Sequence, residues 1–394
     1  MHYTARALLV IMMAALLCFS GCHDDKKNSG ISGPPDKTDG LALDPGQGNL
    51  AGRVVGTVYG RSLAGVTVSV NSRSVITESD GSFLLYGVGE GSLAVILSGE
   101  GIYPRTKVVN TARDGRSISV DAIETGSSFD LNFYRELARG NHPLERDIFP
   151  THRWTNPQPP KFYINTNAAA AKDGTIDQWT IDATIRVLKE IVPIFTGNFY
   201  SAIDIEQRYF ASDVSVAQIP DNAFVISFDD SLQLSGAYGL TYTIPDFISP
   251  TTSTIHKALV FVLDNDRYYK AANPSRIAFE EIVAHESGHG FGFRHSSEPK
   301  WGGKPSVMVK TGEFGGTYSL YDQLHMSIVY HRPAGNTDLD NDPLPGSNAR
   351  ALNAGPQVFL DQRAEQTLPA HERRALNRLQ RFDIVEELLQ QEGK

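Results

Sequence analysis

Apolar and polar positions alternate in short runs between residues 50 and 124. The runs are Arg53-Val54-Val55-Gly56-Thr57-Val58, Val66-Thr67-Val68-Ser69-Val70, Ser82-Phe83-Leu84-Leu85 and Leu93-Ala94-Val95-Ile96-Leu97. Gly, Asp and Asn separate them, so each has the length and the boundaries of a strand. Short strands at this even spacing predict a small β-sandwich. Beyond Pro160 the pattern changes. Lys161-Phe162-Tyr163-Ile164-Asn165 reads as a strand, and residues 176–195 set Trp179, Ile185, Leu188, Ile191 and Val192 at helical spacing. Strand patterns return at 203–209, 223–228 and 257–264. A helix then opens at Pro274 and Ser275, runs from Arg276 to Gly290, and must stop at Gly288, Gly290 and Gly292. A helix between early strands, then further strands and a second helix, predicts an α/β sheet domain. Residues 125–159 hold Pro143, Pro150, Pro157 and Pro159 and read as a mostly irregular connector. The last stretch is rich in Gly, Asn, Asp and Pro until Leu376, Leu379, Phe382, Val385 and Leu389 form an apolar stripe that predicts an amphipathic helix packed on the folded body.

Length and composition bound this picture. A chain of 394 residues has room for two or three folded units. Hydrophobic residues make up 41% and charged residues 21%, which fits folded domains and excludes a disordered chain or a multi-span membrane protein. A net charge of -9 argues against nucleic acid as a partner, because a phosphate-binding surface needs an excess of Lys and Arg.

The first residues stand apart. Arg6 precedes an apolar run, Ala7 to Phe19, too short to span a bilayer, which is the pattern of a secretory signal peptide over 1–21. Phe19-Ser20-Gly21-Cys22 resembles the lipobox of bacterial lipoproteins. The resemblance implies export, acylation of Cys22 and a lipid anchor in the cell envelope, with His23 favouring the outer membrane or surface in a diderm source. Residues 22–49 are too polar to bury a core and read as a flexible tether. Both cysteines, Cys18 and Cys22, fall here, so no structural disulfide and no cysteine-based latency device is expected downstream.

The candidate chemistry lies in His285-Glu286-Ser287-Gly288-His289-Gly290-Phe291-Gly292-Phe293-Arg294-His295, which spells H-E-x-x-H-x-x-G-x-x-H. On a helix, residues four apart share a face, so His285 and His289 can meet one ion. Gly292 lets the chain leave the helix sharply and bring in His295 as a third ligand. Three protein ligands leave a tetrahedral position open for water, as in a catalytic zinc site. Glu286 is placed to take the proton of that water, which zinc acidifies to a pKa of roughly 7.

The eleven-residue string resembles that of the metzincin zinc peptidases, whose second mark is a methionine turn beneath the metal. Ser306-Val307-Met308-Val309 stands where that turn belongs, and the resemblance implies that Met308 floors the site without being a ligand. Ser296 and Leu320-Tyr321-Asp322 look most like the matrixin branch. Residues Leu63 to Val68 with Thr77 to Phe83 resemble the carboxypeptidase-regulatory type of transthyretin-like sandwich. The expected chain is therefore multidomain. A small all-β sandwich over 50–124 is followed, after the connector, by an α/β (α+β) metzincin-like catalytic domain over 160–332 with a twisted mixed sheet, an active-site helix and a C-terminal helix. A linker and amphipathic helix close it over 333–394.

The resemblance implies one catalytic zinc ion and an extended polypeptide substrate, held along Ala258-Leu259-Val260-Phe261-Val262-Leu263 as an edge strand, because strand addition uses main-chain hydrogen bonds. The pocket after the cut would be walled by Val309 to Tyr321. Lys310 stands where some metzincins carry a tyrosine, which leaves Tyr318 or Tyr321 as weaker candidates for that part. His325 and His331 are expected to be ordinary core or surface histidines, and His371-Glu372 lacks a second histidine. Asp338, Asp340 and Asp342 space like the start of a calcium loop. Pro343 and Ala349 break the pattern, so a solvated acidic linker is expected and calcium stays without supporting residues. A zinc endopeptidase is the leading expectation, with a monomer as the default. A lipid-anchored binding or adhesion protein with a silent zinc domain is the alternative, and a zinc hydrolase of non-peptide bonds is the third.

Overall fold

The computed structural model describes residues 46, 48–140, 148–235, 237–245, 253–263, 275–296, 305–309, 318–344 and 357–362. Contacts divide the chain into Met1–Ser32 and Gly33–Lys394, and every described residue belongs to the second unit. The expectations for the signal peptide, Cys22, nearly all of the tether, Lys310, His371 and the amphipathic helix lie outside the described residues. None of the described helices is long and apolar enough to cross a membrane.

The architecture is mixed α/β, with several sheets and few helices. The first part holds β1 (Leu50–Gly56), β2 (Thr67–Val70), β3 (Arg73–Ile76), β4 (Ser82–Leu85), β5 (Ser92–Ser98), β6 (Arg105–Asn110) and β7 (Ser117–Ala122). They form one sheet in the order β4-β1-β7 and another in the order β3-β2-β5-β6. Alternation along β5 buries Leu93, Val95 and Leu97 and turns Ala94, Ile96 and Ser98 outward. Those inward residues share one apolar core with Leu50, Val54, Val68 and Val120, so both sheets contribute to it. Each fully buried Val or Leu is worth roughly 1.5–3 kcal/mol.

The expected irregular connector carries a helix, α1 (Leu131–Arg139). The Asp130 side chain accepts from the Asn132 and Phe133 N–H groups, and Gly140 closes the far end in the left-handed conformation. Phe133, Tyr134 and Leu137 are buried. The prolines that favoured a loop all lie after this helix, where they do it no harm.

The second part is built on a six-stranded sheet of β8 (Lys161–Asn165), β9 (Ile205–Arg208), β10 (Ala223–Phe228), β11 (Ala237–Pro245), β12 (Ile255–Val262) and β13 (Gln357–Gln362), in the order β13-β11-β12-β10-β8-β9. Strands β9, β8, β10 and β12 are parallel, while β11 is antiparallel to both β12 and β13. The segment Ala258–Leu263, expected at an edge, is interior: β12 lies between β10 and β11. Its unbroken apolar run suits a strand covered on both faces, as does β10, every residue of which is buried.

Three more helices pack here: α2 (Gln178–Phe195), α3 (Ser275–Gly290) and α4 (Leu320–Tyr330). Helix α3 lies against α2, β11 and β12, and α4 lies against α1 and α2. Trp154 anchors the end of α3 by donating its indole N–H to the Gly290 carbonyl at 2.9 Å.

The solvated acidic linker is also corrected. Asp340 and Asp342 are buried, and Asp340 accepts from Arg332 at 2.7 and 2.8 Å and from Arg105 at 3.1 Å. Asp342 accepts from the Asn336 side chain and the Val108 N–H, and Asp338 forms a two-bond pair with Arg135. Two of the three carboxylates, Asp338 and Asp340, are thus bonded by guanidinium groups.

Candidate metal centre

Helix α3 sets His285 and His289 one turn apart on one face. Gly292 then adopts φ 99°, and a side chain there would collide with the His152 carbonyl, so only glycine fits the turn. The returning strand is held by Arg294 N–H to the Leu137 carbonyl and Ser296 N–H to the Met308 carbonyl, at 2.9 and 2.8 Å. His295 lies between these two anchors. The His289 Nε2 atom comes to stand 3.2 Å from that of His285 and 3.1 Å from that of His295.

The opposite ring nitrogens decide what those three atoms are. His285 Nδ1 lies 2.6 Å from the Val307 carbonyl and His289 Nδ1 lies 2.7 Å from the Phe293 carbonyl. A carbonyl only accepts, so both Nδ1 atoms carry the proton and both Nε2 atoms offer lone pairs. Burial, with the neighbouring His295 and His285, holds the His289 pKa well below the usual range and keeps the ring neutral. An ion bound tetrahedrally to imidazole nitrogens at about 2.0–2.1 Å spaces them at about 3.3 Å, close to the separations seen. The donor set fits: His285, His289 and His295 form a group able to hold a metal ion, and neutral imidazoles suit divalent transition metals.

Glu286 is fully buried beside this group. The Thr241 hydroxyl lies within hydrogen-bond distance of both its Oε2, at 2.6 Å, and its main-chain carbonyl, at 3.0 Å. Gly239, also on β11, lies so close that a Cβ there would collide with the Glu286 carboxyl. Neither Thr241 nor Gly239 carries a local sequence signal for this contact. Their partner is 45 residues away from Thr241 in the chain, so only the strand pairing reveals the contact.

Met308 is fully buried, with its sulfur packed where a side chain on Gly288 would stand. Its turn hangs on Asp322, which lies in the first turn of α4 and completes a capping box with the N-cap residue Ser319. Asp322 accepts from the Ser306 hydroxyl at 2.6 Å, the Val307 N–H at 3.2 Å and the Ser319 hydroxyl at 2.8 Å. Burial raises the Asp322 pKa, against the pull of the Ser306 and Ser319 bonds. Because the Val307 carbonyl orients His285, the carboxylate of Asp322 supports a candidate ligand that it does not touch.

Tyr318 packs edge-on against Phe195, while the Tyr321 ring lies beside Phe133 and His325. His325 is a core residue, as expected. Its Nε2 accepts from the Asp130 N–H at 2.8 Å, its Nδ1 faces the Tyr321 carbonyl, and burial pushes its pKa down to about 4. His331 is half-buried over the Ser327 carbonyl, also with a lowered pKa.

No protein-family model and no curated protein matches this chain. Among solved structures, metalloproteinase-II from Bacteroides fragilis aligns over 71% of this chain and 84% of that one, at 13% identity and a TM-score of 0.27.

Proposed function

We propose that this protein is a zinc-dependent endopeptidase of the metzincin type, matrixin-like in its catalytic domain, that cuts extended polypeptides. The observation that carries the reading is the convergence of three Nε2 atoms, two of them fixed as lone-pair donors by carbonyls behind their rings, next to a buried carboxylate. A zinc ion bound there supplies Lewis acidity and lowers the pKa of water. Glu286 then serves as the base: its carboxylate takes the proton of the attacking water and returns it to the leaving amine nitrogen. The Thr241 hydroxyl holds Oε2 in one orientation, and β11 runs beside the site as the strand along whose outer side, paired here with β13, an extended peptide would bind.

In this reading, residues 50–124 form a carboxypeptidase-regulatory-like β-sandwich that acts as a spacer or binding module. Residues 1–21 direct export, and Cys22 carries a lipid anchor to the cell envelope. Metabolic labelling with a radioactive fatty acid checks the anchor: label is expected in the wild type and absent from Cys22→Ala.

The catalytic assignment is tested by metal analysis beside a cleavage assay on denatured casein. Glu286→Ala is expected to keep one zinc per chain and lose cleavage, whereas His289→Ala is expected to lose both. Full cleavage by the Glu286→Ala protein would rule out the proposed base.

A further inference from the structure

The sheet edge beside Glu286 is taken by the chain's own C-terminal segment. Strand β13 runs antiparallel along β11 with Thr243 opposite Gln357, Tyr242 opposite Val358, Thr241 opposite Phe359, Leu240 opposite Leu360 and Gly239 opposite Asp361. Two of these β11 residues, Thr241 and Gly239, are the ones that touch Glu286. The backbone of β13 therefore passes one strand spacing, about 4.8 Å, from the residues that hold the proposed base. Helix α3 lies alongside it. The other edge of the sheet, β9, is separated from β11 by β8, β10 and β12. Among the described residues, β11 is thus the strand through which an incoming peptide could pair next to the site, and its outer side is already paired.

We propose that Gln357–Gln362 is an internal occluding strand. It fills the edge that an extended substrate would use and holds the enzyme to a low basal activity until it is displaced. This inference rests on the peptidase reading above. An antiparallel, backbone-paired strand is the same kind of occupant as an extended peptide, since both bind through main-chain groups with little demand on sequence. Tethering gives the internal strand an effective concentration of the order of millimolar, so a free peptide of equal intrinsic affinity competes poorly below that concentration. The device also needs no thiolate, in keeping with the absence of cysteine after Cys22.

The test uses the full-length, zinc-loaded protein with Val358→Pro and Phe359→Pro made separately. Neighbouring residues in an antiparallel strand point their N–H groups to opposite sides, so one proline removes a donor facing β11 and the other serves as its control. The readouts are kcat/KM on an unstructured fluorogenic peptide and amide hydrogen exchange in β11. One variant of the pair is expected to raise kcat/KM at least tenfold and to speed exchange across residues 237–243. A synthetic peptide of residues 355–364 is expected to bind that variant, by fluorescence anisotropy, and to slow it again. Faster β11 exchange with unchanged kcat/KM overturns the inference, as does unchanged exchange in both variants. Failure of the peptidase reading looks different: then neither the wild type nor either variant cleaves, whereas if latency alone is wrong all three cleave equally.

Discussion

At Gly239 a single methyl group separates a placed carboxylate from a displaced one. Any Cβ at that position collides with the Glu286 carboxyl, and the helix behind Glu286 is packed on α2 and the sheet, so the flexible side chain has to swing off Thr241. With Glu286 as the proposed base, Gly239→Ala should leave metal stoichiometry at the wild-type value while lowering kcat about a hundredfold or more, the range expected when such a group is mispositioned. Steady-state kinetics paired with metal analysis checks this, and an unaltered kcat would mean that the carboxylate is not held where β11 places it. The contrast with the histidines shows what sequence could reveal at this scale. His285, Glu286, His289 and His295 lie within eleven residues, so helical periodicity and one glycine turn were enough to bring them together. Thr241 and Gly239 approach through non-local pairing, and no local pattern marks a threonine or a glycine in a strand as the partner of a carboxylate.

Among the elements, the segments with a strong period were readable and those defined by their neighbours were not. Helix α2 and strands β8 and β10 fall where periodicity predicted them, because each buries its own apolar face. The apolar run of β12 was equally plain, but its position in the sheet was not. A strand is interior or at an edge according to what pairs beside it, and the partner here, β11, reads Ala237-Tyr238-Gly239-Leu240-Thr241-Tyr242-Thr243, a run whose own sequence does not say which strand it joins. Helix α1 was hidden by the prolines that follow it. The turn at Met308 is a further case of support from a distant element. It is fixed by the first turn of α4, where Asp322 joins Ser306, Val307 and Ser319. Asp322→Ala leaves several buried donors unpaired, each worth about 1–3 kcal/mol. The variant should lose roughly 2–4 kcal/mol of stability in denaturant titrations. It should also bind zinc about 10- to 100-fold more weakly in competition with a chromophoric chelator, since the Val307 carbonyl that orients His285 is released. A zinc affinity equal to wild type would show that the turn keeps its place without the carboxylate.

Over the whole molecule, buried charge joins parts of the chain that composition had set apart. Arg332, after α4, bonds Asp121 of β7 at 2.7 Å and Asp340 at 2.7 Å, while Arg105 of β6 reaches the same two carboxylates. The first two sheets are thereby bonded to the segment that follows α4, a segment that reads as a solvated linker from its Asp, Asn and Pro content alone. Burial by itself would raise the pKa of Asp121 and Asp340, but the two guanidinium groups outweigh it and hold both below the usual carboxylate range. The core histidines His152 and His325 are shifted in the same direction, each to about 4, chiefly by burial. For all four groups the folded pKa lies below the unfolded one, so the unfolded chain binds protons first as the pH falls. Their stabilisation is complete above the unfolded value and is lost on acidification through the folded one. The two histidines titrate in the unfolded chain near 6.5. Stability should therefore be flat above about pH 7 and decline between about pH 6.5 and 4, by about 1.4 kcal/mol per pH unit for each histidine that takes up a proton only on unfolding. A second decline, below about pH 4, belongs to Asp121 and Asp340 as their unfolded forms protonate. Denaturant titrations across this range on zinc-stripped protein, in which His289 adds to the first decline, should resolve the two stages. A stability profile level from pH 7 to pH 4 would mean that His152 and His325 are not held neutral by the packing described.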